Sequence, residues 1–83
     1  AEGVGKTTQV ARLLAALERA RIPSRGFREP GGTPLGDEIR ALLLAPDAEV
    51  LPRAEALLFM AARAQLVDRV RALLVMGCTV VLD

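Results

Sequence analysis

The sequence predicts an α/β fold, a doubly wound parallel sheet with flanking helices. Near the start of the chain, residues 3–7 read Gly-Val-Gly-Lys-Thr. They match the end of the phosphate-binding motif G-x-x-x-x-G-K-[ST], whose first glycine would fall just before Ala1. Helix, strand, helix, helix and strand patterns follow in that order. The last of them, Thr79–Leu82, is a β-branched, apolar run typical of a fully buried parallel strand. We therefore expect residues 1–83 to be the N-terminal part of one P-loop NTPase-type domain, with the first strand and the C-terminal half absent.

Apolar spacing and helix-stop residues define the N-terminal elements. Residues 6–20 are predicted to form a helix because apolar side chains recur at intervals of three and four, and Pro23 ends it. Residues 24–28 suit one short strand. They lead into residues 29–34, Glu-Pro-Gly-Gly-Thr-Pro, a loop whose backbone shape is specified by its glycines and prolines. The apolar positions of the first helix are Val10, Leu13, Leu14 and Leu17.

The C-terminal elements follow from the same signals. A second helix is expected over residues 35–44 and a third over residues 53–76, with Gly77 placed to cap the third. Ligands of doubly wound sheets bind beyond the carboxyl ends of the strands. We therefore expect the N-terminal loop, residues 29–32 and Asp83 to lie on that edge. The expected buried side of the second helix is Ile39, Leu42 and Leu43.

Composition excludes several classes of site within this segment. The net charge is +1, from ten acidic and eleven basic residues, and no run of like charge indicates a nucleic-acid groove or a membrane surface. Histidine is absent, so the segment holds neither a Ser-His-Asp triad nor histidine-ligated zinc. The longest uncharged run, residues 72–82, is too short to span a membrane. The single Cys78 is expected to be a small buried hydrophobe in a reducing compartment, the cytoplasm.

The first residues are the candidate site for ATP. The backbone N–H groups of Gly3, Val4 and Gly5 would point inward around an anion, and the helix that follows adds its positive dipole end. The alternative is a chance glycine-rich helix start. The helical periodicity behind the motif favours the phosphate site.

Side chains at both ends of the chain complete this site. Lys6 would reach the β- and γ-phosphates as a catalytic cation, and the Thr7 hydroxyl would ligate Mg²⁺, with Thr8 beside it in the nucleotide-binding set. Asp83 ends an apolar strand, as a Walker-B-type catalytic carboxylate and Mg²⁺ ligand would. Many strands end in aspartate without such a role, and the pairing with Lys6 and Thr7 favours the functional alternative.

These features predict a P-loop phosphotransferase or NTPase without choosing a substrate. Residues 28–33, Arg-Glu-Pro-Gly-Gly-Thr, and residues 55–65, Glu-Ala-Leu-Leu-Phe-Met-Ala-Ala-Arg-Ala-Gln, resemble thymidylate kinases of the bacterial type. Residues 2–9, 36–40, 42–44 and 80–83 match the same family in order and spacing. The resemblance implies a nucleoside monophosphate kinase domain that uses ATP and Mg²⁺ to phosphorylate dTMP.

The resemblance assigns the base site to Phe59 and Arg63. They are four residues apart and so share one helical face. The matching phenylalanine of the family stacks on thymine, and the matching arginine donates to O4 of the base. Stacking of a base on an aromatic ring is worth about 1–3 kcal/mol. The alternative is that Phe59 belongs to the core and Arg63 is a solvated surface residue.

The remaining substrate-binding assignments also come from the resemblance. Arg40 matches an arginine that grips the acceptor phosphate, although a lone helical arginine is usually solvated. Arg28 has the same role or orders the loop, and Glu29, followed by Pro30, orders basic residues near the acceptor. Glu2 matches a catalytic carboxylate that meets the sugar hydroxyl of the acceptor nucleotide.

One position departs from part of the family, since some members carry an arginine where this chain has Gly3. By resemblance, such a chain uses arginines of a mobile lid, and the lid is not in these 83 residues. We therefore expect the segment alone to be inactive. The rivals are another P-loop small-molecule or nucleoside monophosphate kinase and a non-kinase P-loop switch. The oligomeric state stays open, a homodimer of the full-length chain included.

Overall fold

A computed structural model of the chain describes residues 3–83, with side chains from residue 5 onward. Three helices and a two-stranded parallel sheet form in this part of the chain, which confirms the α/β class. The doubly wound arrangement needs further strands and stays a prediction. The elements in order are α1 (Gly3–Arg19), β1 (Ser24–Phe27), α2 (Pro34–Leu44), α3 (Pro52–Val75) and β2 (Thr79–Leu82).

The chain divides into two compact units, which are described separately. The sheet unit comprises residues 3–28 and 70–83, and the loop–helix unit comprises residues 29–69. In the sheet unit β1 and β2 run parallel, with Ser24 opposite Thr79 and Phe27 opposite Leu82. Parallel strands end on the same edge, so Arg28 and Asp83 both follow carboxyl ends there. Helix α1 packs on β1.

Helix α1 differs from the prediction at both ends. It begins at Gly3, three residues before the expected start, because glycine also adopts helical dihedral angles although it adds nothing to the apolar pattern. At the other end Ile22 N–H donates to the Leu17 carbonyl and Arg21 N–H to the Glu18 carbonyl, both over 2.9 Å. This is a Schellman motif, and it ends the helix before Pro23 is reached.

The other two helices carry capping residues at their ends. The Thr33 hydroxyl caps α2 by accepting a hydrogen bond from Gly36 N–H at 2.9 Å. Helix α3 ends in a second Schellman motif, in which Cys78 N–H donates to the Leu73 carbonyl at 3.0 Å. Gly77 stands at its left-handed position with φ of +82°, which confirms the predicted cap.

Three burial expectations were wrong. Leu42 is half exposed because the packed face of α2 runs through Gly36 and Ile39, about a quarter-turn away. Strand β2 is not fully buried: Thr79 and Leu82 are exposed, since within residues 3–83 the strand pairs with β1 alone. Cys78, which was also expected to be buried, is half-buried.

Each unit has its own small core. Phe27 is buried in the sheet unit, and Ile39, Ala62 and Leu66 are buried in the loop–helix unit. Among the residues described, no helix combines the length and the apolar composition that crossing a membrane requires.

Candidate functional site

The sheet unit brings together the two charged side chains that the sequence assigned to the phosphate site. Lys6 Nζ lies 3.4 Å from Asp83 Oδ1, although the two residues stand at opposite ends of the chain. The Asp83 N–H donates to the Phe27 carbonyl at 2.8 Å, which extends the sheet pairing to the carboxylate. The Lys6 side chain is 67% exposed, and an ion pair this exposed is worth at most about 1 kcal/mol. The lysine can therefore exchange Asp83 for a phosphate at little cost.

The first turn of α1 contains Lys6. The motif residues from Gly3 onward are helical rather than an open loop, so the expected inward-facing loop amides are replaced by first-turn N–H groups. Such N–H groups have no intrahelical acceptor and point along the helix axis, where they can donate hydrogen bonds to an anion. Gly5 has no side chain, and a Cβ added there would meet no described atom within 4 Å outside its chain neighbours and the surrounding helix backbone.

The described residues offer few protein ligands for a metal ion. No three acidic or cysteine side chains converge within residues 3–83. The candidate donors are the Asp83 carboxylate and the hydroxyl of Thr7, which is exposed on α1. This oxygen set fits Mg²⁺, which keeps several waters and is usually held by one or two carboxylates together with substrate phosphates.

The loop–helix unit contains a cleft that we call the Phe59 cleft, with a volume of about 290 Å³. The ring of Phe59 is 42% exposed, so it is not a core side chain. Ala62 and Leu66, each 1% exposed, are its most buried members. This mixture of apolar walls and few charged groups is usual for small-ligand sites. The lining residues are Glu29, Pro30, Gly31, Phe59, Met60, Ala62, Arg63 and Leu66.

Arg63 on α3 is held by the carboxylate of Glu29, which also lines the cleft. Its Nη2 donates to Glu29 Oε2 at 2.6 Å and its Nε donates to Glu29 Oε1 at 3.3 Å. The hydrogen bond and the negative charge of Glu29 raise the pKa of Arg63, so the guanidinium is charged at every assay pH. The geometry is bidentate, the arrangement in which arginine orientation is best defined.

The loop that carries Glu29 is braced from α2. Arg40 Nη1 donates to the Pro30 carbonyl at 3.3 Å, and Gly32 N–H donates to Asp37 Oδ1 at 3.1 Å. A Cβ on Gly36 would lie 3.1 Å from the Gly31 carbonyl oxygen, so the loop approaches α2 closely at a residue without a side chain. Arg40 thus orders the loop, with four of its five N–H donors left for another partner.

The site residues predicted from the sequence fall into two sets. Lys6, Thr7, Thr8 and Asp83 belong to the sheet unit, with Arg28 exposed after β1; Glu29, Pro30, Arg40, Phe59 and Arg63 belong to the loop–helix unit. Glu2 and the side chain of Val4 lie outside the described residues. The sequence reasoning did not assign Met60 and Leu66 to the site, although Leu66 lies seven residues from Phe59 and so shares its helical face.

Comparisons with known proteins show what the chain is similar to. The family model described as thymidylate kinase matches residues 1–83. The thymidylate kinase of Chlorobium chlorochromatii is 49% identical over 83 residues, which cover 99% of this chain and 37% of the relative. The thymidylate kinases of Deinococcus radiodurans and Thermomicrobium roseum are 52% and 54% identical over 99% of this chain, and the matches cover 40% and 39% of their lengths. The chain spans about two fifths of the length of the curated relatives it matches.

Proposed function

The chain belongs to the thymidylate kinase family, and from this premise we propose that the protein transfers the γ-phosphoryl group of ATP to dTMP, giving ADP and dTDP. The observation that carries the proposal is the Phe59 cleft, where a half-exposed aromatic ring stands next to a carboxylate-held arginine. Location in the cytoplasm and an arrangement as a homodimer are further parts of the proposal.

The cleft suits a pyrimidine base. Phe59 is 42% exposed, and stacking a base on an accessible aromatic ring contributes about 1–3 kcal/mol. Arg63 offers N–H donors, which match the carbonyl oxygen at position 4 of thymine. A cytosine amino group would meet those donors with a donor of its own, and an unpaired polar group costs about 1–3 kcal/mol.

The sheet unit supplies the ATP end of the proposal. Lys6 leaves Asp83 and places its ammonium on the β- and γ-phosphates, while the first-turn N–H groups of α1 donate hydrogen bonds to phosphate oxygens. Mg²⁺, held by these phosphates, Asp83 and Thr7, would neutralise part of their charge. This electrostatic contribution is the largest part of catalysis in phosphoryl transfer.

The reaction requires no protein nucleophile. A phosphate oxygen of dTMP attacks the γ-phosphorus in line, the bond from that phosphorus to the β–γ bridging oxygen breaks, and ADP leaves with the electron pair. In the proposal Arg40 and Arg28 hold the acceptor phosphate, and Glu2 meets the sugar hydroxyl. Gly3 carries no side chain to reach the transferring group, so other parts of the protein must supply that charge.

A panel of nucleoside monophosphates tests the proposal. The longest natural form of the protein is mixed with ATP, Mg²⁺ and one of dTMP, dUMP, dCMP, AMP or GMP, and ADP release is measured. We expect dTMP to exceed dUMP by about fourfold, the worth of one buried methyl group, and both to exceed dCMP by far. Preference for another monophosphate would identify a different kinase, and hydrolysis that needs no acceptor would favour a nucleotide switch.

A further inference from the structure

The contact between Glu29 and Arg63 has a consequence for what the Phe59 cleft can bind. Nε and Nη2 of Arg63 both donate to Glu29, which occupies the side-on edge of the guanidinium. An arginine has five N–H donors, so three remain, two on Nη1 and one on Nη2. One N–H of Nη1 and the remaining N–H of Nη2 form the end-on edge, and the other N–H of Nη1 points to the Cδ side of the guanidinium. Glu29 therefore fixes which edge of Arg63 is available to a ligand.

The same contact cancels the charge of Arg63 inside the cleft. A bare guanidinium attracts phosphates and carboxylates, and bidentate binding of anions is its commonest role. The only other charged lining residue is Glu29 itself, so the lining as described has no net charge. A neutral cleft with directed donors suits the base of a nucleotide better than its phosphate.

The brace on the loop makes Glu29 a fixed partner. Its side chain is 23% exposed, against 68% for Arg63, and the next residue is held from α2 through its carbonyl. Without the carboxylate, Arg63 would be a long, mostly exposed side chain free to turn into solvent. The orientation of Arg63 thus depends on Glu29.

We propose that Glu29 is a positioning and specificity-determining residue, which holds Arg63 as a directed donor to a base carbonyl and prevents the cleft from binding anions. The proposal rests on the proposed function for the identity of the base. It assigns the discrimination between a carbonyl and an amino group at position 4 to the pair rather than to Arg63 alone.

Binding of nucleosides tests this role without the phosphate site. Thymidine and deoxycytidine are titrated calorimetrically into the longest natural form of the protein, as the wild type and as Glu29→Gln. We expect the ratio of thymidine to deoxycytidine affinity to fall at least about fivefold in Glu29→Gln, since a freed Arg63 no longer imposes its donors. In the kinase assay, KM for dTMP should rise by a similar factor while kcat changes less than twofold.

Anion competition separates positioning from a structural role. Inorganic pyrophosphate should not displace thymidine from the wild type, but it should displace it from Glu29→Gln, where Arg63 has lost its partner. The control is Glu38→Gln, which removes one exposed carboxylate of α2 in the same unit and should behave as the wild type. The Arg63 side of the pair is largely exposed, so the melting temperature of Glu29→Gln should stay within a few degrees of the wild type.

A second variant covers the case in which Glu29→Gln does not fold. Glu29→Asp keeps the charge but shortens the reach, so nucleoside selectivity should fall while pyrophosphate stays excluded. Folded variants of Glu29 with wild-type selectivity and no pyrophosphate competition would overturn the inference, as would a wild type that binds both nucleosides equally. A wild type that selects thymidine but does not phosphorylate dTMP would overturn the proposed function alone.

Discussion

Lys6 is the single lysine among eleven basic side chains, and its partner in the structure is a group it can give up. Its ammonium is mostly exposed and pairs with Asp83 over 3.4 Å. A pair of this kind contributes little to folding. The charge is therefore available for a ligand, and its loss should affect catalysis far more than stability.

Replacing Lys6 with alanine is the first test of that argument. A charge that meets phosphates in a closed, dry site is worth roughly 2–5 kcal/mol, so turnover in Lys6→Ala should fall at least about a hundredfold. Thermal unfolding should be nearly unchanged. Arg12→Ala, which removes another exposed cation of α1, is the matched control and should keep wild-type turnover. Turnover of Lys6→Ala within a few-fold of the wild type would show that the phosphate site is assigned wrongly.

The second prediction concerns Arg63. Arg63→Ala removes the donors of the Phe59 cleft, so kcat/KM for dTMP should fall and the gap to dCMP should narrow by about tenfold, the worth of one charged hydrogen bond. Steady-state kinetics with both nucleotides measure it. Arg53→Ala, at the start of α3 in the same unit, should leave the ratio alone. An unchanged dTMP-to-dCMP ratio in Arg63→Ala would favour the solvated-surface alternative.

The sequence predicted part of this site for a physical reason. Phe59 and Arg63 are one helical turn apart, and helical spacing alone places them on a common face. The bond between Arg63 and Glu29 joins residues 34 apart, and no local rule pairs them. The Lys6–Asp83 pair was predicted only as two members of one site, because its contact depends on the parallel pairing of β1 and β2.

The Schellman motifs that end α1 and α3 differ in the residue at the left-handed position. Gly77 fills the left-handed position after α3 with φ of +82°, whereas Arg21 fills it after α1 with φ of +59°. For a residue with a Cβ this conformation costs roughly 1–2 kcal/mol. The end of α1 therefore stores strain that the end of α3 avoids.

Glycine at position 21 should relieve that strain. Arg21→Gly is expected to raise the free energy of unfolding by about 1 kcal/mol, less the extra entropy of glycine in the unfolded chain. The mirror experiment is Gly77→Ala, where no atom lies within 4 Å of the new Cβ, so the loss of about 1 kcal/mol should be purely conformational. Urea unfolding measures both. Destabilisation by Arg21→Gly would mean that the arginine side chain makes a contact worth more than the strain.

The N-cap of α2 gives a prediction that also concerns the loop. Thr33 is 5% exposed, and its hydroxyl accepts from Gly36 N–H at 2.9 Å. Thr33→Ala leaves that N–H without an acceptor and should cost about 1–2 kcal/mol, while Thr33→Ser should cost much less. Because the loop also carries Glu29, the alanine variant should raise KM for dTMP. Equal stability of the two variants in urea unfolding would show that the cap is not the source of the effect.

The elements were predicted in kind and in order because their signals are local. Apolar spacing along the helices and Gly77 after α3 each act within a few residues. The start of α1 was missed by three residues because glycines carry no apolar signal. The end of α1 was predicted within one residue, but Pro23 was named as its stop because a left-handed Arg21 has no signature in sequence.

The burial of a side chain depends on the whole molecule, so local sequence patterns do not predict it reliably. The apolar pattern of β2 predicted a buried strand, but burial depends on what covers a strand, and in the described residues it pairs with β1 alone. Large apolar side chains on the helices are exposed as well. Leu57 on α3 is 61% exposed and Val75 at its end is 88% exposed.

These exposed side chains lead to the last prediction, which concerns the 83-residue chain expressed alone. Four apolar side chains are buried among the described residues. Stable monomers rarely expose apolar patches larger than a few hundred Å². We expect a free energy of unfolding at or below about 5 kcal/mol, a broad thermal transition, and binding of the apolar dye ANS. Leu57→Lys and Val75→Lys should reduce dye binding without lowering helix content, because lysine is a good helix former. A sharp, two-state transition with no dye bound would show that the chain covers these side chains in solution.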